Sequence, residues 1–294
     1  PKAFKDPGEK LMHRLNRTEY ANAVRDLLNL DIDPEALLPI DGAEEGFDNI
    51  STALQVTPSF IDQFLGAARV VSEQAIGSPS ARPSGTPYNF STVGQSFHID
   101  GLPLGSRGGA VVEHYFPSDG EYLLNIGSMA SGLAVGGLEH KHTLIATIDG
   151  RKFFETEIGG LDQTELLDKL RAPAVDELNA KLRNVPLTTT AGPHKVAVFF
   201  QHRSFAESDA PLQQLTPRKG QSDIALVRQF EVYGPVNATG LSLTPSREKI
   251  FSCHPDNDAE ESSCARSIVM DLASEAFRGF LADEDTDLLM KMYD

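Results

Sequence analysis

Tryptophan is absent from this 294-residue chain, so any flat aromatic platform has to come from its 6 tyrosines and 16 phenylalanines. No apolar run approaches the roughly 20 residues needed to cross a bilayer, and the opening stretch Pro1 to Lys10 is polar and unlike a secretory leader. The expectation is a soluble, already processed chain with no transmembrane segment. Basic residues are in the minority: 26 Lys and Arg against 42 Asp and Glu give a formal charge of -16. Such a charge repels phosphate backbones and anionic headgroups at long range, which sets aside nucleic acid and acidic membrane as partners. Catalytic signatures are missing too: there is no Gly-x-Ser-x-Gly elbow, no Walker loop, no Gly-x-Gly-x-x-Gly and no His-Glu-x-x-His. Paired carboxylates could act as a glycosidase acid and base, but 42 acidic residues make chance pairs inevitable, so none is nominated.

With 40% hydrophobic and 23% charged residues the chain has the composition of a globular protein, and its length allows two or three folding units at about 150 residues each. In RLNRTEYANAVRDLL, Asn16 can cap a helix with Glu19 three residues on, and Tyr20, Ala23, Val24, Leu27 and Leu28 share one face. Thr57-Pro58 reads as a second helix start, with Phe60, Phe64, Ala67, Ala68 and Val71 at helical spacing up to Gly77. The intervening LLPIDGAEEGFDN reads as a loop pinned by Leu37, Leu38 and Phe47. The Pro, Ser and Gly of SPSARPSGTP then read as a linker.

Beyond it, AVVEHYF, EYLLNIGS, HTLIATID, RKFFETEI, HKVAVFFQH and ALVRQFEVYG alternate with period two between Gly, Asp and Pro turns, and the last ends near Pro235. Short strands without alternating helices imply antiparallel sheets covering one another, a β-sandwich or jelly roll. Within the series, Leu166, Leu167 and Leu170, then Pro173, then Val175, Leu178 and Leu182, predict two short helices meeting at the proline. Helices return at Asp258 to Phe277 and Glu284 to Tyr293, a tail that must dock on the first helical segment or on a further domain. The expected layout is α+β and multidomain: a helical domain over 1–78, a linker over 79–92, a jelly roll over 93–236 with a helical insertion at about 162–184, and a helical segment over 237–294.

RLNRTEYANAVRDLLNLDID with GAEEGFDN, and TPSREKIFSC with CARSIVMDLASEAFR, resemble the large exported proteins of planctomycetes and related bacteria that string together domains of unknown function, often beside a c-type cytochrome module. LPLGSRGG, GEYLLNIG, LIATIDGRKFF and AGPHKVAVFF resemble the jelly-roll carbohydrate-binding modules embedded in such proteins. The resemblance implies an exported, periplasmic or extracellular setting, a fragment of a longer chain, and glycan, adjacent domains or a cytochrome c module as partners. Covalent haem would need Cys-x-x-Cys-His; Cys253-His254 is preceded three positions earlier by Ile250, so no covalent haem is expected. Cys253 and Cys264 are the only cysteines, and an even count in a chain that looks exported favours a disulfide between them.

The remaining constellations are weighed against plain surface roles. His140 and His142 flank Lys141 before a strand and can share a side, but Thr143 to Thr147 supply no carboxylate to complete a metal site. Asp41, Glu44, Glu45 and Asp48 around Gly42 and Gly46 are hard oxygen donors of the kind calcium takes, without EF-hand spacing; a structural calcium stays open there or in the sandwich. For sugar, aromatic faces and planar polar groups are needed. Tyr88, Tyr115, Tyr122, Phe205 and Tyr233 are available, with Arg107, Glu113, His114, His202 and Arg203 as polar company. The expected ligand-binding set is Arg107, His114, Tyr115, His202 and Arg203, a local positive patch suited to an acidic glycan. The leading expectation is a non-catalytic exported binding module; a polysaccharide-active enzyme with a domain-junction carboxylate site, or a purely structural connector, are the alternatives.

Overall fold

The structure is a computed structural model that describes residues 14–42, 54–90, 94–95, 98–127, 141–170, 172–201 and 226–293. In chain order its elements are α1 (Arg17–Leu28), α2 (Pro34–Leu37), α3 (Pro58–Ile76), β1 (Ser84–Asn89), β2 (Ser106–Phe116), β3 (Asp119–Gly127), β4 (His142–Ile148), β5 (Arg151–Ile158), α4 (Leu161–Leu170), α5 (Ala172–Ala180), β6 (Val185–Thr189), β7 (Gly192–Gln201), β8 (Gln229–Gly240), α6 (Pro245–Ile250), α7 (Asp258–Ala276) and α8 (Asp283–Tyr293). The class is α+β. Residues 1–76 and 243–294 form one compact unit and residues 77–242 another. No helix among the described residues is long and apolar enough to cross a membrane.

In the helical unit, local chemistry starts each helix. Asn16 accepts the Glu19 N–H at 2.8 Å while Glu19 Oε2 accepts the Asn16 N–H at 2.9 Å, a capping box that satisfies two donors the α1 N-terminus would leave open. Thr57 Oγ1 accepts the Phe60 N–H at 3.2 Å, and Pro58, which has no N–H to satisfy, stands first in α3. Tyr20 and Val24 of α1, Ala67, Val71 and Ala75 of α3 and Ile250 of α6 bury one core, with Ile268 and Leu272 of α7 packed against it. The two helical segments that flank the β region in sequence therefore fold together. Neither α6, with 6 residues, nor the tail helices bury enough apolar surface alone. Backbone contacts reinforce the junction: Ser246 Oγ donates to the Asn29 carbonyl at 3.2 Å and Lys249 Nζ to that of Asp26 at 2.5 Å. A disulfide joins Cys253 to Cys264, whose Cα atoms lie 5.5 Å apart, and ties the stretch after α6 to α7.

The second unit contains two antiparallel four-stranded sheets, ordered β1-β8-β3-β6 and β2-β7-β4-β5. One core draws on both: Tyr122, Leu124, Ile126, Phe230 and Val232 from the first, Leu144, Ala146, Ile148, Val196, Val198 and Phe200 from the second. Period-two alternation explains most of this burial, because successive side chains leave a strand on opposite faces. Each such Leu, Ile or Phe contributes about 1.5–3 kcal/mol by leaving water. β7 departs from alternation: Ala197 and Phe199 are buried as well, because Leu102 covers the outer side of that sheet. The β4–β5 hairpin turns through Asp149 and Gly150, at φ 48° and 76°, the left-handed pair that Asp-Gly adopts readily in a two-residue turn. α4 and α5 follow β5, with Pro173 in the first turn of α5, and Leu178 and Leu182 complete the core.

Two expectations on the strands are corrected. Within the stretch expected to be a linker, residues 79–92, Ser84–Asn89 is strand β1, paired with β8 from Ser84 opposite Gly234 to Asn89 opposite Gln229. Pro87 is tolerated because β1 is an edge strand, where a missing N–H breaks no ladder. β8 does not stop near Pro235 but runs to Gly240, its register against β3 shifting between Glu121 and Leu123 so that the strand bulges and continues.

Candidate functional site

The expected site residues are described only in part. His202 and Arg203 lie outside the described residues, as do His140, Glu44, Glu45, Asp48 and the side chain of Arg107, whose backbone belongs to β2. His114 is 8% exposed and faces the core, while its neighbour Tyr115 leaves β2 on the opposite face. These two cannot grip one ligand together. His142 opens β4 with its ring 5.7 Å from that of Phe200. Asp41 belongs to the helical unit: one carboxylate oxygen pairs with Arg14 at 2.5 Å and the other accepts the Arg17 N–H at 2.7 Å, so both brace the start of α1. Among the described residues no three His, Cys, Asp or Glu side chains gather to hold a metal ion.

His114, a member of the expected ligand-binding set, is buried beside Tyr88 and His194. His114 Nδ1 lies 2.7 Å from Tyr88 Oη, and its ring packs edge-on against Phe116 at 4.5 Å. Directly across the ladder is His194, with Nδ1 2.5 Å from Asp149 Oδ2 and Nε2 3.1 Å from the Thr190 carbonyl. Burial, seconded by the neighbouring His194, lowers the His114 pKa to about 4, so the ring is neutral at pH 7 and Tyr88 donates to it. Burial raises Asp149, but the hydrogen bonds from His194 and the Lys195 N–H and the charges of His194 and Arg151 outweigh it and leave the carboxyl below its ordinary value. The arrangement pins the β4–β5 hairpin to β7 and is closed to a ligand at His114.

A second constellation is open. On the outer face of the β1-β8-β3-β6 sheet, Tyr233 stands between Gly85 on β1 and Leu123 on β3, and Pro186 of β6 lies beyond Leu123. The next row is Pro87, Glu231 and Asn125, and the one after it Asn89, Gln229 and Gly127. Tyr233 is 37% exposed, Asn89 and Gln229 are exposed, and Glu231 and Asn125 are half-buried. Gly85 presents no side chain beside Tyr233 on one strand, while Leu123 flanks it on the other. Asn125 Nδ2 donates to Glu231 Oε2 at 3.1 Å while Asn125 Oδ1 accepts the Asn184 N–H at 2.8 Å, which fixes the amide's orientation and the carboxylate's. The other Glu231 oxygen leans over Gly85, where a Cβ would come within 2.2 Å of it. At about 3.4 Å per residue, Tyr233, Glu231 and Gln229 span roughly 14 Å along β8. An aromatic face, a fixed carboxylate and amides in one plane are the groups that engage sugar rings and hydroxyls.

Of this set only Tyr233 stood among the sequence candidates. Period two in RQFEVYG puts Gln229, Glu231 and Tyr233 on one face of β8, but Asn125 joins them only through the pairing of β3 with β8. In the helical unit, a cleft of about 480 Å³ between α7 and α8 is lined by Ser263, Arg266, Ser267, Met270, Thr286 and Asp287, and its cation and carboxylate face each other at 3.7 Å.

Compared with known families, residues 13–77 match the model described as PSD3, protein of unknown function (DUF1587). That span holds α1, α2 and α3 and stops where the second unit begins, so it speaks for a domain of unknown function within the helical unit. No curated protein matches the chain, and no solved structure does.

Proposed function

We propose that the chain is a non-catalytic recognition module of an exported multidomain protein, and that residues 77–242 form a jelly roll that binds glycan on the outer face of the β1-β8-β3-β6 sheet. The strand orders support the jelly roll: eight strands in two four-stranded antiparallel sheets, with sequence neighbours β1 and β2, β3 and β4, and β5 and β6 on opposite sheets. The Cys253–Cys264 disulfide supports an oxidising, extracytoplasmic setting. The PSD3 match is in keeping with the resemblance to planctomycete-type proteins that accompany cytochrome c modules, whose neighbouring domains would be the module's other partners. The observation that carries the glycan reading is Tyr233, exposed at the centre of a sheet face beside a carboxylate that Asn125 holds in place.

The test is electrophoresis of the purified chain through native gels cast with soluble polysaccharides. Retardation by at least one, lost in Tyr233→Ala, is expected. No retardation, with tight association to the other domains of the same polypeptide, would show a connector instead. Release of reducing ends from the polysaccharide would show an enzyme.

A further inference from the structure

We propose, resting on the glycan reading above, that the Tyr233 face selects neutral polysaccharides and turns away uronic-acid ones, with Glu231 as the group that sets the preference. Glu231 is the one charged residue in the three rows built by Pro87, Asn89, Asn125, Gln229, Glu231 and Tyr233. An ionised carboxylate only accepts hydrogen bonds, so it is satisfied by hydroxyl donors and repelled by another carboxylate. Its Oε2 takes the Asn125 amide at 3.1 Å, and its second oxygen lies over the bare backbone of Gly85, with no side chain there to cover it. A pair of adjacent sugar hydroxyls can meet that edge while the ring rests on Tyr233, one row away. Asn89 and Gln229, exposed in the next row, can both donate and accept and so suit neutral hydroxyls. A formal charge of -16 over the whole chain adds a long-range bias in the same direction. The location matters as well: Glu is uncommon on a strand paired on both sides, as β8 is, and the Asn125 amide fixes its carboxylate there.

This ligand class differs from the acidic glycan that a patch at Arg107 and Arg203 would suit. The experiment runs the whole chain through native gels containing a neutral glucomannan, a neutral xyloglucan, polygalacturonate or alginate, at low and at high salt. Expected is retardation by a neutral polymer that salt leaves unchanged, no retardation by either uronate polymer, and loss in Tyr233→Ala. Glu231→Gln should weaken neutral binding by about tenfold, the loss of a charge-assisted acceptor, and admit polygalacturonate. Glu231→Asp, which keeps the charge but withdraws it by one methylene, should weaken neutral binding and still exclude uronates, which separates the charge from any effect on folding. Uronate binding by the parent that disappears in Tyr233→Ala would overturn the neutral preference and leave the glycan reading standing. Neutral binding undiminished in both Glu231 variants would overturn the role of Glu231. Retardation by none of the four would overturn both.

Discussion

Acid should loosen the β unit through His114 before most of its carboxylates titrate. The ring is 8% exposed, lies between Tyr88 on β1 and His194 on β7, and packs on Phe116, with Asp149 held one step further off on the far side of His194. Its pKa is lowered from 6.5 to about 4 by burial and by His194. The sign follows from proton uptake. Between those two values the unfolded chain binds a proton at this residue and the folded one does not, so stability falls as pH falls from about 6.5 to 4 and then levels off. One pKa unit is about 1.4 kcal/mol, so the whole window is worth about 3 kcal/mol. The assay compares urea midpoints of the parent and His114→Gln from pH 7 to pH 4. At pH 7 the variant should be the less stable by about 1–3 kcal/mol, for lost packing and an altered bond to Tyr88. By pH 4 that deficit should shrink by about 3 kcal/mol and can change sign. If the two proteins lose stability in parallel over the whole range, His114 does not titrate as its burial requires, and the account of the network fails.

Other consequences are open to direct measurement. Tyr88→Phe removes the donor to neutral His114 and should lower stability at pH 7 by about 1 kcal/mol while flattening the pH dependence, read from the same urea series. Asn16→Ala should cost about 1 kcal/mol, and an unfolding midpoint equal to the parent's would dismiss the capping box as an energetic contributor. Reduction of Cys253–Cys264 should add two hydrogens to the intact mass, and its replacement by a Ser pair should lower the unfolding free energy by about 2–3 kcal/mol; free thiols in the oxidised protein would rule the bond out. Residues 77–242 expressed alone should unfold in one cooperative transition, because both sheets share a core made within that span; a molten domain would show that the helical unit supplies part of it.

What the sequence disclosed depended on how locally each feature is made. The capping box at Asn16 and Glu19, the Thr57-Pro58 start of α3 and the six alternating runs are written in neighbouring residues, and each was legible. α2 and α6 open with the same cap-then-proline signal, Asp33-Pro34 and Thr244-Pro245, but at 4 and 6 residues they are too short for an apolar period to show. β1 was hidden because an edge strand needs no strong strand formers: Ser84, Gly85 and Pro87 are ordered by β8, which follows it by some 140 residues. At the candidate site, the inward turn of His114 could have been inferred from parity, since Val112 and Phe116 set the inner face of β2. Parity likewise sets Gln229, Glu231 and Tyr233 on one face of β8, but the part of Asn125 could not be read, because it and Glu231 are 106 positions apart and meet through strand order alone.

The central claim is where ligand sits. Backbone amide shifts of the isotope-labelled chain, followed while a neutral oligosaccharide is titrated, test it most directly. The account predicts progressive shifts at Asn89, Asn125, Gln229, Glu231 and Tyr233, across β1, β3 and β8, with the Tyr115 face of β2 unmoved. Shifts confined to β2 and its flanking loop, or a spectrum unchanged at saturating sugar, would contradict it.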